Sequence, residues 1–569
     1  MTAADATNRP AWVFGPIPDL LLGCGLGYLL VALAVSFSSI DRTTLLVWGG
    51  LLTAFTGMPH YGATLLRVYE HREDRQRYAL FAVWASLLVW GLFVWGVYDA
   101  LVGSLLLTVY LTWSPWHYTG QNYGLAVMFL RRGGVDLDVG TKRLLYASFM
   151  LSYALAFLTL HSEPKAAYGP DLVGFTYTFL PLQVPLVLYA NLFLGVVLLY
   201  VGTLALAAWR LRGAGRALGP ATMLVFTQAV WFSIPSITLW LTGRTLPAMD
   251  VAFLFLWVAI GHAVQYLWIT TYYAAGSAGG AARTRYLAKT LLAGAIIWTV
   301  PALVFAPTLL GESSYLLGLF MLVASAVNIQ HFVLDGAIWK LRDGPVARVL
   351  LAKVQATAAS ATDTGGSRLA RPAFLAIGGV CTLIAVAGPS LHALAWTPAV
   401  AAGDHARAER VERWLRWMGR EEPAYWNRRA ALQVQQGDLD EAEALYQRSL
   451  DLYPSPDAWI GLADVRIARG DEEGAHLALE RSLAVAPNAT AWSGIGMLES
   501  RRSRHDAAAA AFQAAIELEP YNAPLLQRYG RYWLGRGDRE KALPALEQAL
   551  RIDPRLPWIE EDVRKARGG

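Results

Sequence analysis

Between residues 18 and 396 this chain is a succession of apolar runs, most of them long enough to cross a bilayer as a helix, joined by short loops that carry the charge. A helix rises about 1.5 Å per residue, so about 20 apolar residues cover a hydrocarbon core roughly 30 Å thick. No water is available there to satisfy the backbone, and continuous apolar runs of this length meet that demand as helices. Eleven can be marked, at 18–38, 44–66, 78–98, 103–131, 143–161, 184–209, 220–242, 250–273, 287–306, 316–338 and 372–396. The fold class this predicts is all-α, with a polytopic transmembrane bundle over 1–398 followed by a soluble helical solenoid over 404–569. The fourth run is overlong and holds Pro115, which predicts a kink or break there.

Charge placement supports the division. Charged residues are only 16% of the chain and hydrophobic ones 55%, too apolar for one soluble domain of 569 residues. Basic loops at 67–77, 131–143, 210–216, 283–289 and 340–371 each follow an even-numbered run. Lys and Arg concentrate in short cytoplasmic loops, so the N-terminus is expected in the cytoplasm and the C-terminal domain on the far, periplasmic side. This accounts for the net charge of +5 and removes nucleic acid as an expected partner. The first run has only Arg9 as a basic residue ahead of it and no small-residue cleavage pattern after it, so it reads as a retained helix. Cys24 and Cys381 lie within apolar runs and build no disulfide framework.

The soluble part is periodic. Pro454, Pro487, Pro520 and Pro554 recur at intervals of 33, 33 and 34 residues, the period of a helix-turn-helix solenoid. Turn dipeptides Gly437-Asp438, Gly470-Asp471 and Gly537-Asp538 keep the same phase, as do Trp459 and Trp492. Glycine there supplies a left-handed helix end. Ala442, Tyr446 and Leu450, then Ala475, Leu479 and Leu483, then Ala508, Phe512 and Ile516, are spaced to pack each second helix on its neighbour. Over 425–554 the chain resembles the tetratricopeptide repeat family. It departs from the pattern where Ser503-Arg504 replaces the turn glycine, which predicts a looser third turn. The resemblance implies a curved surface for a protein or peptide partner. Segments 404–420 and 559–564 read as flanking cap helices.

Four histidines fall inside apolar runs: His60 in the second, His117 in the fourth, His262 in the eighth and His331 in the tenth. Ionisable groups in a bilayer are costly and mark functional candidates. All four runs have even numbers and so head the same way, placing the imidazoles in the middle or the cytoplasmic half of the membrane. Gln121, Gln265, Asn328 and Asp335 lie three or four residues from a histidine, where they share its helical face as outer partners. Asp335 reads equally as a ligand or as a catalytic carboxylate. Imidazoles with one carboxylate suit a transition metal, iron first, with copper or zinc as alternatives. Counted along each helix, His60 and His331 lie roughly 10 and 13 Å from the basic ends and His117 and His262 roughly 21 and 18 Å, so one centre, a dinuclear centre or bis-histidine haem all stay open. No pair has a tight HxxxH or HExxH spacing. Proton relay and plain helix-to-helix hydrogen bonding are the competing roles.

A buried metal among aromatic residues suggests oxygen-dependent chemistry on a lipid-soluble substrate taken from the bilayer. Tyr118 is the tyrosine marked for a catalytic role; Tyr61, Tyr123 and Tyr266 also flank the histidines. The arrangement loosely resembles multi-histidine integral membrane oxygenases. Two other classes compete: a lipid-linked glycosyl or polymer transferase, disfavoured because the external loops hold few charged groups, and a scaffold or transporter that binds no metal. Asp19 reads as an interfacial residue and His161 as a solvated loop residue.

Overall fold

In the computed structural model the apolar runs form helices packed around a polar centre, and the periodic part forms helical hairpins. The structure describes residues 12–37, 42–70, 72–162, 176–243, 248–275, 280–339, 350 and 370–568. Most of the basic loop expected at 340–371, and residues 163–175 between the fifth and sixth runs, lie outside these residues. Among the described residues every element is a helix, with one isolated bridge between Ser162 and Val184. The chain divides into two compact units, Met1–Arg420 and Glu421–Gly569.

In the first unit seven helices are long and apolar enough to cross a membrane, or eight if Pro16–Gly23 and Leu26–Val35, bent by 61° at a short break, make one span. The difference from the eleven runs has physical causes. The stretch Leu186–Thr242 is 57 residues long, apolar on either side of Arg210, Arg212 and Arg216, with a non-helical interruption at Gly215 (φ 55°, ψ −132°). The 28-residue helix Arg42–Tyr69 and the 33-residue helix Ala100–Arg132, which carry His60 and His117, are long enough but rich in polar residues. Ala100–Arg132 runs unbroken through Pro115, where a break was one expectation.

The His60 helix is held by close contact with Gly280–Val304. A Cβ added at Gly62 would lie 1.8 Å from the Thr290 carbonyl oxygen, and one at Gly294 would lie 1.7 Å from that of Met58. Two backbones can touch this closely only where both helices present glycine, the small-residue packing of apolar helices. Hydrophobic side chains close around this contact, with Trp298, Ala302, Leu319 and Val323 in one buried cluster and Met58 and Tyr61 against it.

Two polar residues are more deeply placed than their sequence position implies. Asp19 is fully buried and accepts hydrogen bonds from the backbone N–H of Val13 and Phe14 and from Trp268 Nε1 at 3.0 Å. His161 is buried too, with Thr112 Oγ1 at 3.0 Å from its Nε2 and the Leu182 N–H donating to its Nδ1. Both are satisfied structural groups.

The second unit is four hairpins: Pro423–Gln436 with Leu439–Leu452, Pro456–Arg469 with Glu472–Val485, Ala489–Arg501 with His505–Leu518, and Ala523–Gly535 with Arg539–Ile552. Ile559–Arg567 caps the last one, as expected of segment 559–564. The other segment expected to cap the solenoid falls elsewhere: His405–Trp417 belongs to the first unit, where Trp396 Nε1 donates to Glu412 Oε1. Ala442, Ala475, Ala508 and Ala542 stand at one phase and are fully buried. At the next position Tyr446 covers Gly461 and, one repeat on, Leu479 covers Gly494, where an added Cβ would collide. Gly437, Gly470 and Gly537 take left-handed φ values of 82°, 81° and 77°. The third turn is not looser. Ser503 adopts the same left-handed geometry at φ 58°, and Arg504 follows without the side-chain cap that Asp438, Asp471 and Asp538 supply.

A candidate metal centre of four histidines

The four histidines come from four helices and meet in one cluster. Arg42–Tyr69 carries His60, Ala100–Arg132 carries His117, Ala248–Ala275 carries His262 and Phe320–Ile338 carries His331 and Asp335. His60 Nε2 is 2.8 Å from His331 Nε2. The ring of His262 is centred 4.8 Å from His60 and 5.0 Å from His117, and His117 is 5.0 Å from His331. Asp335 Oδ2 lies 3.8 Å from both His117 Nε2 and His331 Nε2. All five side chains are at most 9% exposed. The two depths suggested by counting along each helix collapse to one layer.

One turn further along, a second polar layer supports the first. Thr64, Tyr266 and Asp335 each stand four residues after a cluster histidine. Thr64 Oγ1 lies 2.6 Å from Tyr266 OH, 2.9 Å from His331 Nδ1 and 3.0 Å from Asp335 Oδ1. Tyr266 OH donates to Asp335 Oδ1 and accepts from Trp339 Nε1 at 2.9 Å. Such i to i+4 pairs meet in register only if their helices run the same way, as the numbering of the runs requires. Gln121, four residues after His117, donates to the His262 carbonyl at 3.3 Å and to Gln265 Oε1 at 3.2 Å. Asn328 accepts from Tyr61 OH at 2.8 Å, behind His331. The Tyr118 ring lies 4.2 Å from that of His262, and Phe332 stacks on His117 at 4.5 Å.

The four histidines, Asp335, Tyr118, Gln121, Gln265 and Asn328, with Tyr61 and Tyr266, are therefore in or against the cluster, whereas Tyr123 packs on Tyr146 and Phe149 instead. Thr64, Trp339 and Phe332 were not foreseen; the available signal was spacing, since Thr64 follows His60, and Trp339 follows Asp335, by one helical turn.

The donor set has the composition of a metal site. Two groups of three have ligand atoms all within 4.8 Å of one another: His60, His262 and His331, and His117, His331 and Asp335. An ion held at about 2.0–2.1 Å by imidazole nitrogens needs donors no more than about 4 Å apart, and the 2.8 and 3.8 Å separations meet this. Buried polar atoms are normally paired. Yet His60 Nδ1, His117 Nε2 and both nitrogens of His262 are buried without a hydrogen-bond partner. Three neighbouring imidazoles thus hold buried nitrogens with no hydrogen-bond partner.

Comparison with known proteins bears on the second unit. The tetratricopeptide repeat family model matches residues 433–497, and the C-terminal region is an array of these repeats. Solved structures similar to it include MamA, at 20% identity over 28% of this chain and 93% of that one with a TM-score of 0.24. YrrB, described as a TPR protein with an unusual peptide-binding site, is 19% identical over 30% of this chain and 88% of its own, with a TM-score of 0.24. PilF of Pseudomonas aeruginosa is 19% identical over 25% and 67%, with a TM-score of 0.24. No curated protein matches the chain.

Proposed function

We propose that this chain is an integral membrane metalloprotein whose four-histidine, one-aspartate cluster holds a transition metal, iron first, and acts on a lipid-soluble substrate by oxygen-dependent chemistry. Seven apolar helices and the bent pair are long and apolar enough to cross, and the second half of the run interrupted at Gly215 and the two long histidine helices are counted as crossings too, eleven in all. An odd number with a cytoplasmic N-terminus sends the repeat domain to the periplasmic side, where it takes a protein or peptide partner.

The observation that carries this reading is the meeting of four imidazoles from four helices, three of which, His60, His117 and His262, hold buried nitrogens without a partner. Burying even one such nitrogen unpaired costs several times RT, so the four of them together call for a ligand. His60, His117, His262 and His331 are its nitrogen donors and Asp335 its oxygen donor, with copper or zinc as the other metals this set accommodates. A bound ion would supply a Lewis-acidic and, for iron or copper, redox-active centre. The residues around it exclude water and orient the donors: Phe332 and Tyr118 press on His117 and His262, while Gln121 and Gln265 brace the His262 helix. Tyr118, its ring 4.2 Å from that of His262, is the side chain assigned to hold or give a proton to substrate, since the Tyr266 hydroxyl is already engaged by Asp335. Haem fits poorly, because ring centroids 4.3 to 6.5 Å apart leave no slot for a planar macrocycle between the histidines.

The test is elemental analysis and visible absorption of the detergent-purified chain beside His117→Ala and His331→Ala. One equivalent of iron, copper or zinc, lost in both variants, is the expected result. Metal-free wild-type protein, or variants that keep their metal, would overturn the reading in favour of a scaffold or transporter; a Soret band would replace the metal ion with haem.

A further inference from the structure

Two ligand groups share a residue. His331 belongs both to the group with His60 and His262 and to the group with His117 and Asp335, which on its face invites two ions. Its hydrogen bonds decide the matter. His331 Nδ1 is 2.9 Å from Thr64 Oγ1, and its Nε2 is the atom 2.8 Å from His60 Nε2 and 3.8 Å from Asp335 Oδ2. A carboxylate only accepts hydrogen bonds, and a threonine hydroxyl has one proton. Tyr266 gives its own proton to Asp335, so the Thr64 proton goes to Asp335 Oδ1, 3.0 Å away, or to Tyr266 OH, 2.6 Å away, and in neither case to His331. The Thr64 oxygen then meets His331 as an acceptor, so Nδ1 carries the imidazole proton and Nε2 carries the only lone pair in the plane of the ring.

We propose that Thr64 is the positioning residue that fixes His331 in this tautomer and thereby limits the centre to one ion per chain. The inference rests on the metal reading above and specifies its nuclearity. One lone pair serves one ion, so the two groups are two views of a single site with up to five donors. Asp335 obeys the same logic. Its Oδ1 is engaged by Thr64 and Tyr266, and Tyr266 is itself held by Trp339, which leaves Oδ2 facing His117 and His331. Thr64 is suited to the role because it is 1% exposed and its hydroxyl makes three contacts with groups from two other helices. Outer partners of this kind tune metal affinity by about 10–100-fold.

Cobalt(II) is a suitable probe, because its visible bands report both stoichiometry and coordination. Wild-type full-length chain, freed of metal with a chelator in detergent, should saturate at one Co(II), and Thr64→Ser, which keeps the hydroxyl, should match it. Thr64→Val removes the hydroxyl at constant volume; it should bind Co(II) about 10–100-fold more weakly and with shifted bands, while melting below Thr64→Ser in the metal-free state because the His331 N–H is left buried without its acceptor. If valine does not fold, Thr64→Ala, which removes the hydroxyl without adding a ligand, tests the same point. Two Co(II) per wild-type chain, or Thr64→Val binding as tightly as wild type, would overturn the proposal and leave the metal reading intact. Wild-type chain that binds no Co(II) removes both.

Discussion

The two units handle polar side chains in opposite ways. In Glu421–Gly569 the recurring polar groups sit at helix starts: Asp438, Ser455, Asp471, Asn488, Asn522 and Asp538 each accept a first-turn backbone N–H, and the core between the helices is mostly alanine and leucine. In Met1–Arg420 the distinctive polar groups lie mid-helix and face one another. Helix caps are local, and each repeat packs mainly on its neighbours, so the solenoid's stability is close to a sum over repeats. The histidine cluster depends on four helices far apart in sequence and holds only if all four are in register. One unit should therefore lose stability in small increments under mutation, and the other should fail as a whole.

The largest expected effect follows from the glycine contact beside His60. Gly62→Val places its Cβ and two methyl groups where the Thr290 carbonyl oxygen already lies within 1.8 Å of the Cβ site. A backbone carbonyl in a helix cannot yield as a side-chain tip can, so the cost should reach or exceed the upper end of overpacking, about 3 kcal/mol. Size-exclusion chromatography in detergent should show aggregated or absent protein, and any folded fraction should lack metal. A monodisperse Gly62→Val protein with full metal content would show that the cluster tolerates displacement of one of its helices, and the contrast between the units would fall.

A more local loss, confined to one repeat and its neighbours, is expected from Leu479→Ala, at a side chain 2% exposed that packs over Gly494. Large-to-small changes at such positions cost about 2–5 kcal/mol. Proteolysis of the solenoid across a urea series should move to lower denaturant by that amount. A loss well below this range would mean that the neighbouring repeats collapse into the space.

How much of this was readable in advance differs between the units for the same reason. The solenoid's order is written at short range, so the proline interval, the Gly-Asp turns and the phase of Ala442, Ala475 and Ala508 were enough to lay out its hairpins. The four histidines stood out because ionisable groups are rare in apolar runs, and Gln121, Gln265, Asn328 and Asp335 followed from helical spacing. Their meeting in one layer did not follow. Depth counted from the nearest charged residue assumes that every helix begins at a common plane, which the described helices do not obey. Thr64 was invisible for another reason. Threonine in such helices commonly donates to the carbonyl four residues back, as Thr53 does to Gly49 and Thr119 to Pro115, and only the tertiary structure shows Thr64 turned toward His331 and Asp335 instead.

The third repeat offers the finest test of the additive side of the comparison, because it breaks the local rule while keeping the local shape. Ser503 sits at φ 58°, where an L residue with a Cβ costs about 1–2 kcal/mol relative to its usual conformations. Ser503→Gly relieves that strain but frees the unfolded chain, which returns about 0.5–1 kcal/mol of the gain. The net stabilisation should be about 0.5–1 kcal/mol. Arg504→Asp should add about 1 kcal/mol by supplying the missing cap, since Arg504 stands at the helix start where Asp438, Asp471 and Asp538 cap the other repeats. The two residues adjoin but act on different groups, one on a backbone torsion and the other on a free N–H, so a solenoid governed by local terms should show their sum in the double variant. Urea-dependent proteolysis of the two single variants and the double one measures this directly. A double variant well short of the sum, or a Ser503→Gly protein less stable than wild type, would show that the third turn is held by contacts beyond its own hairpin and that the solenoid shares more of the first unit's collective character than its repeats imply.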